Sequence, residues 1–164
     1  MPGVRLAIIS DTHMPRGGRA LPAACVERMR AADAILHAGD LVAVEVLALL
    51  ESLGPPVHAI HGNVDGPDVR ALLPAAQVVE AGGALIAMVH DAGPATGRLR
   101  RMRLRFPDAD AVVFGHSHLP LHEEDGGFHI FNPGSPTERR RAPVHTMGEA
   151  TVEDGQLRFA LIEL

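Results

Sequence analysis

Lysine is missing from this chain: all fifteen basic residues are arginine. Lysine-free, alanine-rich usage is what GC-rich coding produces, so no function is read from it. Cysteine is nearly missing too. The one thiol, Cys25, cannot close an intrachain disulfide, and its place in a helical-looking stretch (21–31) assigns it the role of a small buried hydrophobe. No apolar run approaches the roughly 18 residues of a membrane span, which excludes an integral membrane protein of helical type. The first residues enter an apolar strand, VRLAIIS, with no basic region and apolar h-region ahead of it, which predicts a cytoplasmic protein. Positive charge is not in excess either: a formal net charge of -5 argues against a nucleic-acid polymer as partner. Linkers, internal repeats and low-complexity tracts are absent. At 164 residues, with 46% hydrophobic and 21% charged content, the sequence predicts one globular domain over 1–164.

What is present is a series of short apolar runs that each stop at a polar residue. Residues 4–10, 34–37 and 57–60 read as buried strands, and 21–31 and 43–51 have helical length and composition. That βαβαβ order predicts a parallel sheet with right-handed crossovers, its strand ends along one edge. The second half changes style. Runs at 77–80 and 84–89 flank Gly82-Gly83, a helix-like stretch covers 94–105, and a buried strand is expected at 111–114. Two hairpins follow, 121–124 with 128–131 around Asp125-Gly126-Gly127, and 144–152 with 157–162 around Asp154-Gly155.

The strand ends carry SDTH (10–13), HAGD (37–40), HGNVD (61–65), MVHD (88–91) and FGHSH (114–118). Seven metal-capable side chains are thereby offered to one rim: Asp11, His13, Asp40, Asn63, His90, His116 and His118. Strand alternation would put Asp11 and His13, two apart, on one face. Asp40 has two carboxylate oxygens with which to bridge two cations a few ångströms apart. The donor set is nitrogen and oxygen without thiolate, which suits Mn²⁺, Fe, Zn²⁺, Co²⁺ or Ni²⁺ better than Ca²⁺ or Mg²⁺.

DTH, GD, GNVD, GHSH and NPGS, in that order over residues 4 to about 136, resemble the calcineurin-like metallophosphoesterase superfamily, and in particular its small bacterial and archaeal phosphodiesterase branch. The resemblance implies a four-layer αββα sandwich of two mixed sheets with flanking helices, and a dimetal site at the strand C-terminal ends. It places Asp11, His13 and His118 on one metal and Asn63, His90 and His116 on the other, with Asp40 bridging. Two divalent ions are implied, Mn²⁺ expected first, with a bridging hydroxide that attacks a small phosphate ester in line.

Two departures stand out. Where many members read GNHD or GNHE, this chain has Val64, so the usual leaving-group acid is missing and esters with acidic leaving groups are the expected substrates. His61 and Asp65 are the nearest replacements, Asp65 competing with a role in orienting its neighbours. Where the family often has a His-Gly-His-like run, this chain has His90-Asp91-Ala92, so the second His is missing, and Asp91 would repel a dianion if it pointed inward. His58, His122, His129 and His145 are read as unremarkable, and His37 as structural or supporting the ligands. The segment Asn132 to Ser135 is read as shaping the site. Five arginines between 98 and 105 form a solvated helix face by default; the alternative is attraction of a phosphorylated or nucleotide substrate, helped by Arg139, Arg140 and Arg141. A phosphodiesterase is the leading expectation. Its rival is a protein-interaction scaffold, because the retromer subunit of this fold also lacks the GNHD histidine; a nuclease ranks last for want of a polymer cleft. A homo-oligomer is left open.

Overall fold

A computed structural model describes residues 3–164. Two five-stranded sheets lie face to face. The first runs β10-β9-β1-β2-β3, built from β1 (Val4–Ile9), β2 (Ala34–His37), β3 (Val57–Ala59), β9 (Thr146–Glu153) and β10 (Gln156–Glu163). The second runs β4-β5-β6-β8-β7, from β4 (Ala76–Ala81), β5 (Ala84–Val89), β6 (Ala111–Val113), β7 (Leu121–Asp125) and β8 (Phe128–Asn132). Both are mixed: β1, β2 and β3 are parallel with β9 antiparallel to β1, and β5, β6 and β8 are parallel with antiparallel strands at the edges.

Side-chain alternation explains the layering. Leu6 and Ile8 of β1 face the second sheet and meet Ile86, Met88, Val113 and Phe131 in the inter-sheet core. Ala7 and Ile9 point the other way, onto α1 (Ala23–Ala31) and α2 (Val44–Glu51) through Met29, Cys25, Val46 and Leu50. On the far side Ala87, Val112 and Ile130 pack beneath α4 (Arg98–Arg105) through Met102. The result is an αββα sandwich in which every central strand is covered on both faces, as near-continuous apolar strands require. Cys25 is fully buried, and burial pushes its thiol up to about 12, consistent with a hydrophobe's role. No helix among the described residues is long and apolar enough to cross a membrane.

Two elements depart from the expected order. A further helix, α3 (Pro67–Leu72), follows the HGNVD loop, opened by Gly66 and Pro67. The helix expected from 94 begins only at Arg98, because Gly97 is left-handed at φ 72° and the loop before it is held by Arg101, whose guanidinium donates to the carbonyls of Ala92 and Pro94.

Candidate metal centre

Three parallel strands of the first sheet and two of the second end at one rim, and the chain turns sharply there. Asp11, His13, Asp40, His116 and His118 have φ between 47° and 73°, a left-handed conformation that L-residues avoid and that His and Asp tolerate better than most. Such strain persists only where surrounding contacts over-determine it. It also corrects one expectation. Asp11 and His13 lie beyond the end of β1, so they converge through two left-handed turns and not through strand alternation.

Six of the seven side chains form two groups that could each hold an ion, Asp11, His13 and His118, and Asp40, His90 and His116, and the seventh, Asn63, lies beside the second. In the first, Asp11 Oδ1 lies 3.4 Å from His118 Nε2 and 3.8 Å from His13 Nε2. In the second, His90 Nε2 is 3.0 Å from both Asp40 Oδ2 and Asn63 Oδ1, and His116 Nδ1 is 3.1 Å from Asn63 Oδ1. Ligand atoms about 2.1 Å from a common ion are themselves separated by roughly 3 Å, the spacing seen here. The groups are joined by Asp40 Oδ2, which is also 3.5 Å from His13 Nε2. Its partner oxygen, Oδ1, accepts the Val64 N–H at 2.9 Å. One oxygen, not two, therefore faces both groups.

The fit to a cation rests on atoms without partners. Asp11 Oδ1, His13 Nε2 and His118 Nε2 are buried and make no hydrogen bond among the described residues. The His118 Nδ1–H donates to the Glu138 carbonyl, so its Nε2 carries a lone pair that faces the lone pairs of Asp11 Oδ1. Two buried acceptors at that distance repel each other, and a cation between them turns repulsion into ligation. His90 is set the same way, its Nδ1–H donating to the Ala38 carbonyl at 2.7 Å.

Charge state follows from these neighbours. Burial lowers the pKa of His13, but the facing carboxylates of Asp11 and Asp40, with Glu138 behind, outweigh it and raise the group to about 9. His90 is raised against burial by Asp40 and Asp11. Burial would raise Asp40, yet His13 and His90 hold it well below the usual carboxylate range. His118 is lowered, chiefly by burial. Without metal, protons on His13 and His90 do part of a cation's work.

Asp65 and His61 were the candidate proton donors. Asp65 is buried, and its carboxylate accepts three backbone N–H groups: Asp40 and Gly62 on Oδ2 at 2.9 and 2.8 Å, and Val42 on Oδ1 at 2.8 Å. That geometry ties the Asp40 loop to the Asn63 loop and commits three of the carboxylate's roughly four acceptor sites to backbone. His61 lines an open cleft beside Asn63 and His90. Asp91 does not crowd the metal-facing atoms: Oδ1 accepts the Gly93 N–H and Oδ2 lies 4.0 Å from His116 Nε2. Close approach needs glycine at two points. A Cβ on Gly62 would meet Asp40 Oδ1 at 2.1 Å, and one on Gly115 would meet Asp11 Oδ2 at 2.6 Å.

The NPGS turn braces both metal loops. Ser135 Oγ donates to the Asp11 carbonyl at 2.8 Å, and Asn132 Nδ2 donates to the Gly115 carbonyl at 3.1 Å. Glu138 was missed by sequence reasoning. Its carbonyl accepts the His118 Nδ1–H and so orients that imidazole, Arg19 holds Oε1 at 3.0 Å, and the buried Oε2, 3.2 Å from His13 Nδ1, places a negative charge behind the second ring. The available signal was the Ser-x-x-Glu spacing from Ser135, whose Oγ accepts the Glu138 N–H at 2.8 Å.

His37 is fully buried, with Nδ1 accepting the Gly39 N–H at 3.1 Å and Nε2 3.0 Å from Thr12 Oγ1. The neutral ring therefore links the Asp40 and Asp11 loops, and burial lowers its pKa from 6.5 to about 4. A base depressed in the folded state costs nothing above 6.5. As pH falls from 6.5 to 4 the unfolded chain takes a proton that the folded one refuses, and stability drops by roughly 3 kcal/mol. Urea unfolding across that range should show this slope in wild type and a flatter one in His37→Asn; equal slopes would remove His37 as the cause.

Two facing mixed sheets, helices outside, and paired His/Asp groups at the strand ends are the architecture of the metallophosphoesterase class. The family model for the calcineurin-like phosphoesterase superfamily domain matches residues 4–155, and the chain belongs to that superfamily. A probable metallophosphoesterase of Methanothermobacter thermautotrophicus is 32% identical over 137 residues, 82% of this chain and 78% of the relative. Among solved structures, vacuolar protein sorting 29 from Cryptosporidium parvum matches with a TM-score of 0.81 at 21% identity, covering 100% of this chain and 99% of that one. A novel archaeal phosphodiesterase matches with a TM-score of 0.73 at 22% identity, covering 97% and 100%.

Proposed function

We propose that the chain is a single-domain, dimetal phosphodiesterase acting on small phosphate esters. The observation that carries this is the buried set Asp11 Oδ1, His13 Nε2 and His118 Nε2, three atoms facing one another with no partner. Asp11, His13 and His118 would hold one divalent ion and Asn63, His90 and His116 the other, with Asp40 Oδ2 between them. When bound, such ions acidify water and withdraw charge from phosphoryl oxygens, and Mn²⁺ is the ion we would supply first. The protein's part is orientation: Glu138 and the Ala38 carbonyl fix which imidazole nitrogen faces inward, while Asp65 holds the Asp40 and Asn63 loops in register. Hydrolysis forms one P–O bond from water and breaks the ester P–O bond, and the departing oxygen needs a proton unless it is acidic. Val64 supplies none, so His61 in the cleft is the donor we assign.

The test is hydrolysis of bis-p-nitrophenyl phosphate against p-nitrophenyl phosphate by metal-stripped protein with Mn²⁺ restored. The diester should turn over faster, and His118→Ala should abolish it. A second reading, protein interaction without catalysis, draws on the whole-chain likeness to vacuolar protein sorting 29. Absence of turnover with Mn²⁺, Ni²⁺, Co²⁺ or Zn²⁺ in protein that holds two equivalents of metal would favour it.

A further inference from the structure

We propose that the cleft beside Asn63 and His90 receives a second anionic group of the substrate, and that Arg105 binds it. The substrate class is thus a phosphodiester with one arm ending in a phosphate or carboxylate. The inference deepens the phosphodiesterase reading and rests on it.

The open cleft offers about 240 Å³ and is lined by His61, Arg70, Ala75, Val89, Asp91 and Arg105, with Asn63 and His90 also in its lining. An ester seated on the metal-facing atoms of Asn63 and His90 therefore has one arm directed along it. Ala75 and Val89 offer a short apolar surface for that arm, and the charged groups surround it.

The two arginines differ in what they have left to give. Arg70 is committed: its Nε donates to the Asp65 carbonyl at 2.7 Å and its Nη2 to the carbonyls of Gly62 and Asn63 at 3.1 and 3.4 Å, bracing the loop that carries Asn63. Most arginines of α4 are occupied too. Arg98 donates to the Gly93 carbonyl and stacks over Phe114, Arg101 caps the carbonyls of Ala92 and Pro94, and Arg103 meets Asp125. Arg105 makes no hydrogen bond or ion pair among the described residues. Its guanidinium rests over the Phe106 ring at 5.2 Å, which steadies its plane while leaving its donors unused.

Charge in the cleft favours an anion. Two guanidinium groups stand against one carboxylate, and Asp91 has Oδ1 on the Gly93 N–H while Oδ2 faces His116. A free, planar guanidinium in the lining of such a cleft matches the paired oxygens of phosphate or carboxylate. A neutral or cationic arm gains nothing from it.

Four p-nitrophenyl phosphodiesters test this, with 2-phosphonoethyl, 2-carboxyethyl, p-nitrophenyl and choline as the second group. Wild-type protein should show a KM about tenfold lower for an anionic arm than for the neutral one, and the two anionic arms tell phosphate from carboxylate. Arg105→Gln should erase that preference, with kcat within about twofold on every substrate and the neutral ester unchanged. Calorimetric binding of 1,3-propanediyl bisphosphonate against propylphosphonate gives a readout free of turnover: wild type should prefer the bisphosphonate and Arg105→Gln should not. An equal KM across arms in wild type, or an Arg105→Gln loss shared by all arms, would overturn the proposal. If no diester is hydrolysed, the function reading fails, and the bisphosphonate preference alone decides the subsite.

Discussion

Asp40→Asn is expected to lower Mn²⁺-dependent diester turnover on the order of a thousandfold or more and to drop metal stoichiometry below two. Loss of a residue that only orients a ligand costs roughly 10- to 100-fold. Asp40 does more, because its Oδ2 lies within 3.0 Å of His90 Nε2 and 3.5 Å of His13 Nε2, one atom from each group. The amide keeps an oxygen for the Val64 N–H, so it must turn an NH₂ toward the two imidazoles, replacing an anion with a donor where two cations belong. Collapse of the fold is a separate outcome and can be told apart. His13 and His90 are raised by the carboxylate and hold their protons less tightly once it is gone, so circular dichroism of the metal-free variant should match wild type. Turnover within tenfold of wild type would sink the assignment of Asp40 as the shared ligand.

The sheet positions were legible because burial on two faces leaves a plain trace. Ile35 and Leu36 of β2 and Ile86 to Val89 of β5 are unbroken apolar runs, and the ladders begin and end within a residue or two of them. The seven ligand candidates were legible by residue type and by their place just after those runs. The backbone at the rim was not. Nothing in SDTH or GHSH announces left-handed turns, since residues around the site pay for that strain through contacts distant in sequence, such as Ser135 to Asp11. The same distance hid Glu138: its partners His13 and His118 are 125 and 20 residues away, and three following arginines gave it the look of a solvated run. Helix α3 was missed because six residues with one buried side chain, Val69, make no periodic pattern. Asp65 stood open between proton transfer and orienting its neighbours, because two of the backbone N–H groups that converge on it, those of Asp40 and Val42, are 25 and 23 residues away.

Metal affinity is expected to rise steeply with pH between 6.5 and about 9, by roughly tenfold per unit from His13 alone. In the metal-free protein the His13 imidazole is protonated up to about 9, because Asp11, Asp40 and Glu138 face it. A cation can take Nε2 only by displacing that proton, and below its pKa each unit of pH costs one decade of apparent affinity. His90, also raised, steepens the dependence. The stability consequence differs between the two forms. For a base raised from 6.5 to about 9, stabilisation by its own proton is complete below 6.5 and fades as pH rises through 9, so His13 makes the metal-free protein less stable at high pH. Metal binds the folded chain more tightly in that same direction, so the melting temperatures with and without metal should spread apart as pH increases from 6.5 to 9. Titration calorimetry at about pH 7 in buffers of different ionisation enthalpy counts the protons released per metal pair. His13→Asn should release one fewer. An unchanged proton count in that variant would mean that His13 keeps its proton when metal binds and is no ligand at all.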